Sequence, residues 1–236
     1  MPKKMDMKPS ATGHRVRSDK SRPGFRASAP RRTRYAQTRN RDAPQAVPSS
    51  CSKAGELAVQ LLLDPRVTAL EFRTSLSFSG REVPIEMFVA DLDDGDRVAF
   101  DIIDERPYRD LDAEGLLLLA LESHGIRIIE IDQAFIDAEP RASNTCRLWS
   151  HREHQVPAHL RAAIDRALAS RRRLTIRSLA NVIRLRDPMP AIGALVSQGV
   201  LAIDLSRPLG SHSVVGRRSD RWPAVRRLNW FGKDSQ

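Results

Sequence analysis

The feature that most limits what this 236-residue chain can fold into is the segregation of its charge. Residues 1–50 hold 13 Lys+Arg against 3 Asp+Glu, and residues 51–140 hold 8 against 20. Residues 141–215 hold 12 against 4, and residues 216–236 hold 6 against 2. An acidic stretch flanked by basic ones suggests a division of labour, with a globular acidic part and segments drawn to a polyanion. Residues 1–50 are rich in Arg, Ser, Pro and Ala, and scattered apolar side chains such as Val16 and Phe25 follow neither a helical nor a strand period. Such a segment cannot bury enough surface to offset its ordering entropy, which predicts a disordered basic arm. A DNA-binding arm and a solubilising tail are the two roles that suit it, and basic runs carry no base readout.

No apolar run approaches the roughly 18 residues that a membrane-spanning helix needs. The basic N-terminus lacks the apolar core of a secretory signal. The expected setting is therefore the cytoplasm, with no membrane partner. Cys51 and Cys146 are too far apart for a metal knuckle and too few for a disulfide scaffold, so both are expected as reduced thiols.

The acidic stretch, 51–140, has the pattern of a compact α/β domain. Leu57, Val59, Leu61, Leu62 and Leu63 surround a helix from Gly55 to Leu63 that must stop at Asp64-Pro65, because the residue before proline is pushed out of the helical region. Val67 to Phe72 and Leu76 to Phe78 suggest strands, and Gly80-Arg81 turns the chain into a strand from Val83 to Ala90. Asp93-Asp94-Gly95-Asp96 predicts a hairpin turn leading to a strand from Arg97 to Ile103. A helix from about Asp112 to His124, a break at Gly125 and a buried strand from Ile126 to Ile131 follow.

From Pro157 the period changes. Leu160, Ala163, Ile164, Ala167 and Leu168 recur at helical spacing, Ser178 to Leu185 suggests a second helix, and Pro190 opens a third that Gly199 closes. Val200 to Leu205 and Val214-Val215 would pair across the turn at Arg207 to Gly210. Three helices followed by a two-stranded element is the plan of a winged helix-turn-helix, which assigns 141–215 to a winged-helix-like domain and 216–236 to a basic tail.

The order of these residues also resembles a known family. Gly55-Glu56-Leu57, Leu62 through Val67, Leu70-Glu71-Phe72, Pro84 through Val89, Asp94-Gly95, Ala99 through Ile103 and His124 through Arg127 look like the opening of the TnsA-like transposon endonucleases, over about 90 residues. That resemblance implies a restriction-endonuclease-like core: a mixed sheet flanked by helices, with two-metal phosphodiester hydrolysis by three acids and a lysine. Carried over residue by residue, Glu56 is the helix acid, Glu86 stands at or near the Asp position and Asp101 is the strand acid. Glu86 and Asp101 are the implied Mg²⁺ ligands. The lysine position falls on Ile103. Of the six lysines in the chain, Lys53 alone lies in the core segment, and the guanidinium groups of Arg73 and Arg106 stay protonated and cannot replace it as a base. The expectation is a nuclease-like scaffold with impaired cutting, Mg²⁺ being relevant only if the residual site acts.

Other clusters invite chemistry less. Asp91, Asp93, Asp94 and Asp96 lack the bidentate Glu that ends a calcium loop, and His124, His151, His154 and His159 lack further ligands for zinc. Ser75, Ser77 and Ser79 alternate along a strand instead of occupying a nucleophile elbow. Arg171, Arg172, Arg173, Arg177 and Arg184 cluster around the second C-terminal helix and are the candidate DNA-phosphate contacts, whereas the third helix offers only Ser197 and Gln198 for base reading. The tail interleaves Trp222, Trp230 and Phe231 with Arg221, Arg226 and Arg227. The expected partners are DNA and a transposase or other mobile-element protein, with an active Mg²⁺-dependent endonuclease or a protein-interaction module as the alternatives.

Overall fold

The computed structural model describes residues 52–220. The arm at 1–50, Cys51 and residues 221–236 of the basic tail lie outside the described residues. The chain opens with α1 (Lys53–Leu63), β1 (Val67–Phe78), β2 (Arg81–Leu92), β3 (Arg97–Ile102), α2 (Leu111–Ser123) and β4 (Ile126–Ile131). These form a four-stranded mixed sheet in the order β1-β2-β3-β4, with β1, β2 and β3 antiparallel in succession and β4 parallel to β3. The α/β expectation is met in its element order. Two details differ. The two strands expected between Val67 and Phe78 are one, because β2 pairs along its whole length despite a register shift between Arg73 and Ser75. The third strand stops at Ile102, one residue short, where a turn begins.

Each face of the sheet is covered by one long helix. Ala54, Leu57, Ala58 and Leu61 of α1 pack on Phe88, Ala90, Val98, Phe100 and Ile102. Leu117, Ala120 and Leu121 of α2 pack on Val83, Ile85, Met87, Val89 and Ala99 on the other face. Alternate residues of β2 and β3 thus serve opposite cores, as the pleat demands.

The remainder contains α3 (Gln133–Ile136), α4 (Arg141–Trp149), α5 (Ala158–Ser170), β5 (Arg173–Thr175), α6 (Ile176–Ile183), α7 (Met189–Ser197), β6 (Leu201–Ile203) and β7 (Val214–Arg217). The three expected helices are present, and the expected pair β6 and β7 gains a third strand in the order β5-β7-β6. Helix α6 ends where Arg184 adopts φ +54°, and α7 is followed by Gly199 at φ +71°.

Helix α4 had no counterpart in the sequence pattern, and its buried face explains why. Arg141, Asn144, Thr145 and Leu148 point inward, so the period is mostly polar. Asn144 Nδ2 donates to the carbonyls of Leu205 (2.9 Å) and Arg207 (2.8 Å), and its Oδ1 accepts from the Leu209 amide (3.1 Å). The helix is held by hydrogen bonds to a loop over 60 residues later, which hydrophobic periodicity cannot signal.

Helix α1 joins both halves. Its Leu63 belongs to the core formed by α5, α6, α7 and the small sheet, and Val59 packs against that core. At its C-terminal end Arg218 Nη1 donates to the Leu62 carbonyl (2.9 Å) and Nη2 to those of Asp64 (2.6 Å) and Val67 (2.7 Å). A cation there satisfies carbonyls that lack helical partners and opposes the helix dipole. Asp64, also buried, is held by Arg66 Nη2 at 2.7 Å. Among the described residues no helix is long and apolar enough to cross a membrane.

Two substitutions test these joints. Arg218→Ala should lower the unfolding free energy by about 2–3 kcal/mol, since bonds from a charged donor contribute roughly 1.5–3 kcal/mol and buried carbonyls lose their partner. Asn144→Ala should cost a similar amount, about 2 kcal/mol. Urea unfolding followed by circular dichroism reads both, and a loss below about 0.5 kcal/mol for either would refute its assigned role.

Candidate functional site

A cleft of about 140 Å³ lies where β3 ends and the chain turns toward α2. It is lined by Ala54 of α1, Phe72, Phe88, Phe100 and Ile102 on the α1 side of the sheet, the charged Glu86, Asp101, Glu105, Arg106 and Arg109, and also Met87 and Pro107. Three aromatic rings give the floor its apolar character, and Phe72 and Phe88 meet edge to face at 5.1 Å between centroids.

Asp101 is the centre of the charge. It is 2% exposed, and its Oδ2 accepts from Arg106 Nη1 (3.0 Å) and Arg109 Nη1 (2.9 Å). Arg106 also bonds Glu130 Oε1 at 2.6 Å, and Arg109 lies 3.6 Å from Glu114 of α2. Asp101 first and Glu130 second hold the Arg106 guanidinium above its ordinary range. Glu130 stands beside Asp101 because β3 and β4 pair in parallel with those residues in register. The result is a closed array of carboxylates and guanidiniums on the α2 side of the sheet, where Asp101 shares the parity of Ala99.

Glu86 reaches the cleft differently. It has φ +45°, a conformation that residues other than glycine rarely adopt, and lies where β2 takes three steps, Met87 to Pro84, against two steps of β1, Arg73 to Ser75. That is a β-bulge, which re-aims a side chain at the cost of a ladder position. Its parity is that of Phe88, on the α1 side. Glu86 and Asp101 therefore line one cleft from opposite faces of the sheet.

Glu56 does not line the cleft. It sits in the first turn of α1, where Lys53 Nζ bonds its Oε2 at 3.0 Å and Asp137 Oδ1 at 2.7 Å. Asp137, and then Glu56, hold the Lys53 ammonium above its ordinary value, while Lys53 holds Asp137 below the usual carboxylate range. The ammonium of Lys53, the one lysine of the core segment, is thus shared by Glu56 and Asp137 and does not bond Asp101. Ile103, at the lysine position, is 42% exposed in the turn after β3, with its amide bonded to the Ile131 carbonyl at 2.9 Å.

The acids implied as Mg²⁺ ligands do not fit that ion as placed. Mg²⁺ demands oxygen ligands at about 2.1 Å in octahedral geometry, yet the Asp101 carboxylate already bonds two guanidiniums, and the acids come from both faces of the sheet. Among the described residues no group of three or more His, Cys, Asp or Glu side chains gathers as a metal would require. Arg109 and Glu130 were not among the residues chosen from sequence; only the register of β4 against β3 brings Glu130 beside Asp101, and nothing local announces it.

The remaining clusters resolve as surface structure. Asp91 pairs with Arg97 (3.0 Å) and Asp96 with Arg127 (2.6 Å), tying the hairpin tip to its own sheet. His124 donates from Nε2 to the Ser77 carbonyl (2.9 Å), and Ser75 donates to Glu82 across the hairpin (2.7 Å). His151 packs beneath α7, where a Cβ on Gly193 would lie 2.8 Å from the His151 Cβ and 2.9 Å from the Leu148 carbonyl.

That last contact bears on nucleic-acid recognition. In α7 every residue from Ala191 to Ser197 is buried, and Gly193 lets α4 and its following turn approach closely. The third helix of the C-terminal unit therefore faces the protein interior. Arg171, Arg172, Arg177 and Arg184 are exposed, on the segment leading to β5 and on α6, and Arg173 lies half-buried in β5. Arg177 reaches Ser211 Oγ (3.3 Å), the loop before β7. Comparison with known proteins finds no matching family model and no matching sequence among curated proteins.

If Asp101 is a structural counter-ion, Asp101→Ala should destabilise the fold by about 3 kcal/mol, because it removes the buried carboxylate that both guanidiniums bond and leaves the half-buried Arg109 with only the longer contact to Glu114. Addition of millimolar Mg²⁺ should leave the melting temperature of the unaltered chain unchanged. A metal-dependent rise in melting temperature that Asp101→Ala abolishes would restore the ligand role.

Proposed function

We propose that this protein is a nucleic-acid-associated scaffold in which a nuclease-like domain no longer cuts and a winged-helix-like unit grips phosphate through Arg171, Arg172, Arg173, Arg177 and Arg184. Supporting the nuclease-like reading is the order α1-β1-β2-β3-α2-β4 around a mixed sheet with a helix on each face. Supporting the winged-helix reading is the order α5-β5-α6-α7-β6-β7 with the small sheet β5-β7-β6. The observation that carries the loss of cutting is Asp101, whose carboxylate is bonded to Arg106 and Arg109 where a catalytic acid would hold metal.

The mode of binding follows from α7. A helix buried along its length has no side chains to present to base edges, and sequence readout needs such contacts. Contacts to phosphate need only exposed cations, and among the described residues Arg171, Arg172 and Arg184 form no ion pair. Binding is accordingly expected to be salt-dependent and indifferent to sequence. An active endonuclease is the second reading, favoured by the single fact that Glu86 and Asp101 line one cleft.

A gel-shift titration against salt, with duplexes of unrelated sequence, tests the binding. Arg171→Gln, Arg172→Gln, Arg177→Gln and Arg184→Gln together should weaken binding to both duplexes equally and flatten the slope of log K against log salt by about 3.6, at roughly 0.9 for each of the four phosphate contacts. An unchanged slope would exclude this surface. Incubation of supercoiled plasmid with Mg²⁺ or Mn²⁺ should produce no nicking; nicking removed by Asp101→Asn and Glu86→Gln would establish the second reading instead.

A further inference from the structure

Helix α2 carries an apolar surface that the fold does not use. Leu117, Ala120 and Leu121 seal it to the sheet, yet Leu111 is 91% exposed, and Leu116, Leu118 and Leu119 are also substantially open. Leu111, Gly115, Leu118 and Leu119 stand at positions that share one side of a helix, and a Cβ at Gly115 would meet nothing within 4 Å. Tyr108, in the loop before the helix, is equally open. A contiguous apolar face of this kind marks an interaction surface more than scattered leucines would.

Charge narrows the occupant. Asp110, Asp112, Glu114 and Glu122 lie on or beside α2, and no Lys or Arg occurs from 110 to 126. A second copy of the helix would set these acids against the same acids, whereas an apolar, basic segment would meet opposite charge. Residues 221–236 have that composition: Trp222, Val225, Leu228, Trp230 and Phe231 are interleaved with Arg221, Arg226, Arg227 and Lys233, against the single acid Asp234.

The place where the described chain ends agrees. Arg218 is bonded to the Val67 carbonyl. Val67 pairs with Leu92, Asp91 with Arg97, and Arg97 with Ile126, so one row crosses this end of the sheet. Helix α2 delivers the chain to that row through His124 and Gly125. Crossing from β1 to β4 is three strand spacings, about 14 Å. Residues 221–236 number 16, and an extended chain of that length reaches about 50 Å.

We propose that residues 221–236 dock in cis on the exposed leucine face of α2, with the tryptophans against Leu111, Leu118 and Leu119 and the arginines beside Asp112 and Glu122. The proposal stands whether or not the protein binds nucleic acid.

Tryptophan fluorescence of the full chain tests it, with Trp149→Phe removing the third tryptophan so that emission comes from Trp222 and Trp230. The expected emission is blue-shifted and independent of protein concentration, and Leu111→Glu with Leu118→Glu moves it to the red while far-ultraviolet circular dichroism is unchanged. In the chain with all three tryptophans, hydrogen exchange of α2 amides should quicken about tenfold on Trp222→Ser with Trp230→Ser. Solvent-like emission in the starting chain, together with unchanged exchange, overturns the proposal. A blue shift that grows with concentration, or a dimer in sedimentation that survives Trp222→Ser with Trp230→Ser, assigns the face to a second copy and overturns it equally.

Discussion

The structure depends on α1 being buried on two sides. A helix eleven residues long presents Leu57 and Leu61 to the large sheet and Leu63 to the helical core behind it, so neither half closes without it. An isolated helix of this length is marginal in water, and here tertiary contacts supply what propensity does not. Arg218 completes the arrangement by bonding the Leu62 and Asp64 carbonyls, which have no helical donor once the proline ends the helix. The apolar residues all round α1 are the sequence signature of this double burial.

From that frame the cleft inherits its geometry. Helix α1 covers one face of the sheet and α2 the other, and the pleat sends Asp101 toward α2 while Phe100 and Ile102 face α1. An acid placed on the α2 face is beyond the first turn of α1, where Glu56 sits with Lys53 and Asp137. Arginine, not lysine, answers Asp101, and a permanently charged guanidinium can hold a carboxylate but cannot draw a proton from water. Asp101 is thus held as the shared partner of two guanidiniums.

Much of this was legible in the residues. The alternation in β2 and β3, the Asp-Gly turn with Gly95 at φ +96°, and the glycine after α2 at φ +64° placed the elements of the sheet in their order. The periodic leucines and alanines of α5 did the same for the C-terminal unit. What remained hidden was governed by long-range contact: α4 buries Asn144 and Arg141, polar side chains that no apolar period reveals, and Glu130 meets Asp101 only through parallel pairing. Arg141 illustrates the cost of such burial, its guanidinium lying 4.1 Å over the Phe135 ring and pushed down by desolvation to about 10 while staying a cation at neutral pH. Glu86 was nominated from sequence, but its bulge and left-handed backbone were not foreseeable from a Pro-Ile-Glu-Met string.

The reach of Arg218 has a consequence for the chain as it is made. The carbonyls it satisfies precede it by as many as 156 residues, and Asn144 waits over 60 residues for the loop it binds. A ribosome extends a chain from its N-terminus, and domains fold as units when their last contacts emerge. The sheet with its two helices therefore leaves the exit tunnel with one flank of α1 bare, and that flank is covered only when α4 and α7, which pack on it, have been made. Any nascent-chain factor that shields apolar surface would meet this protein at α1.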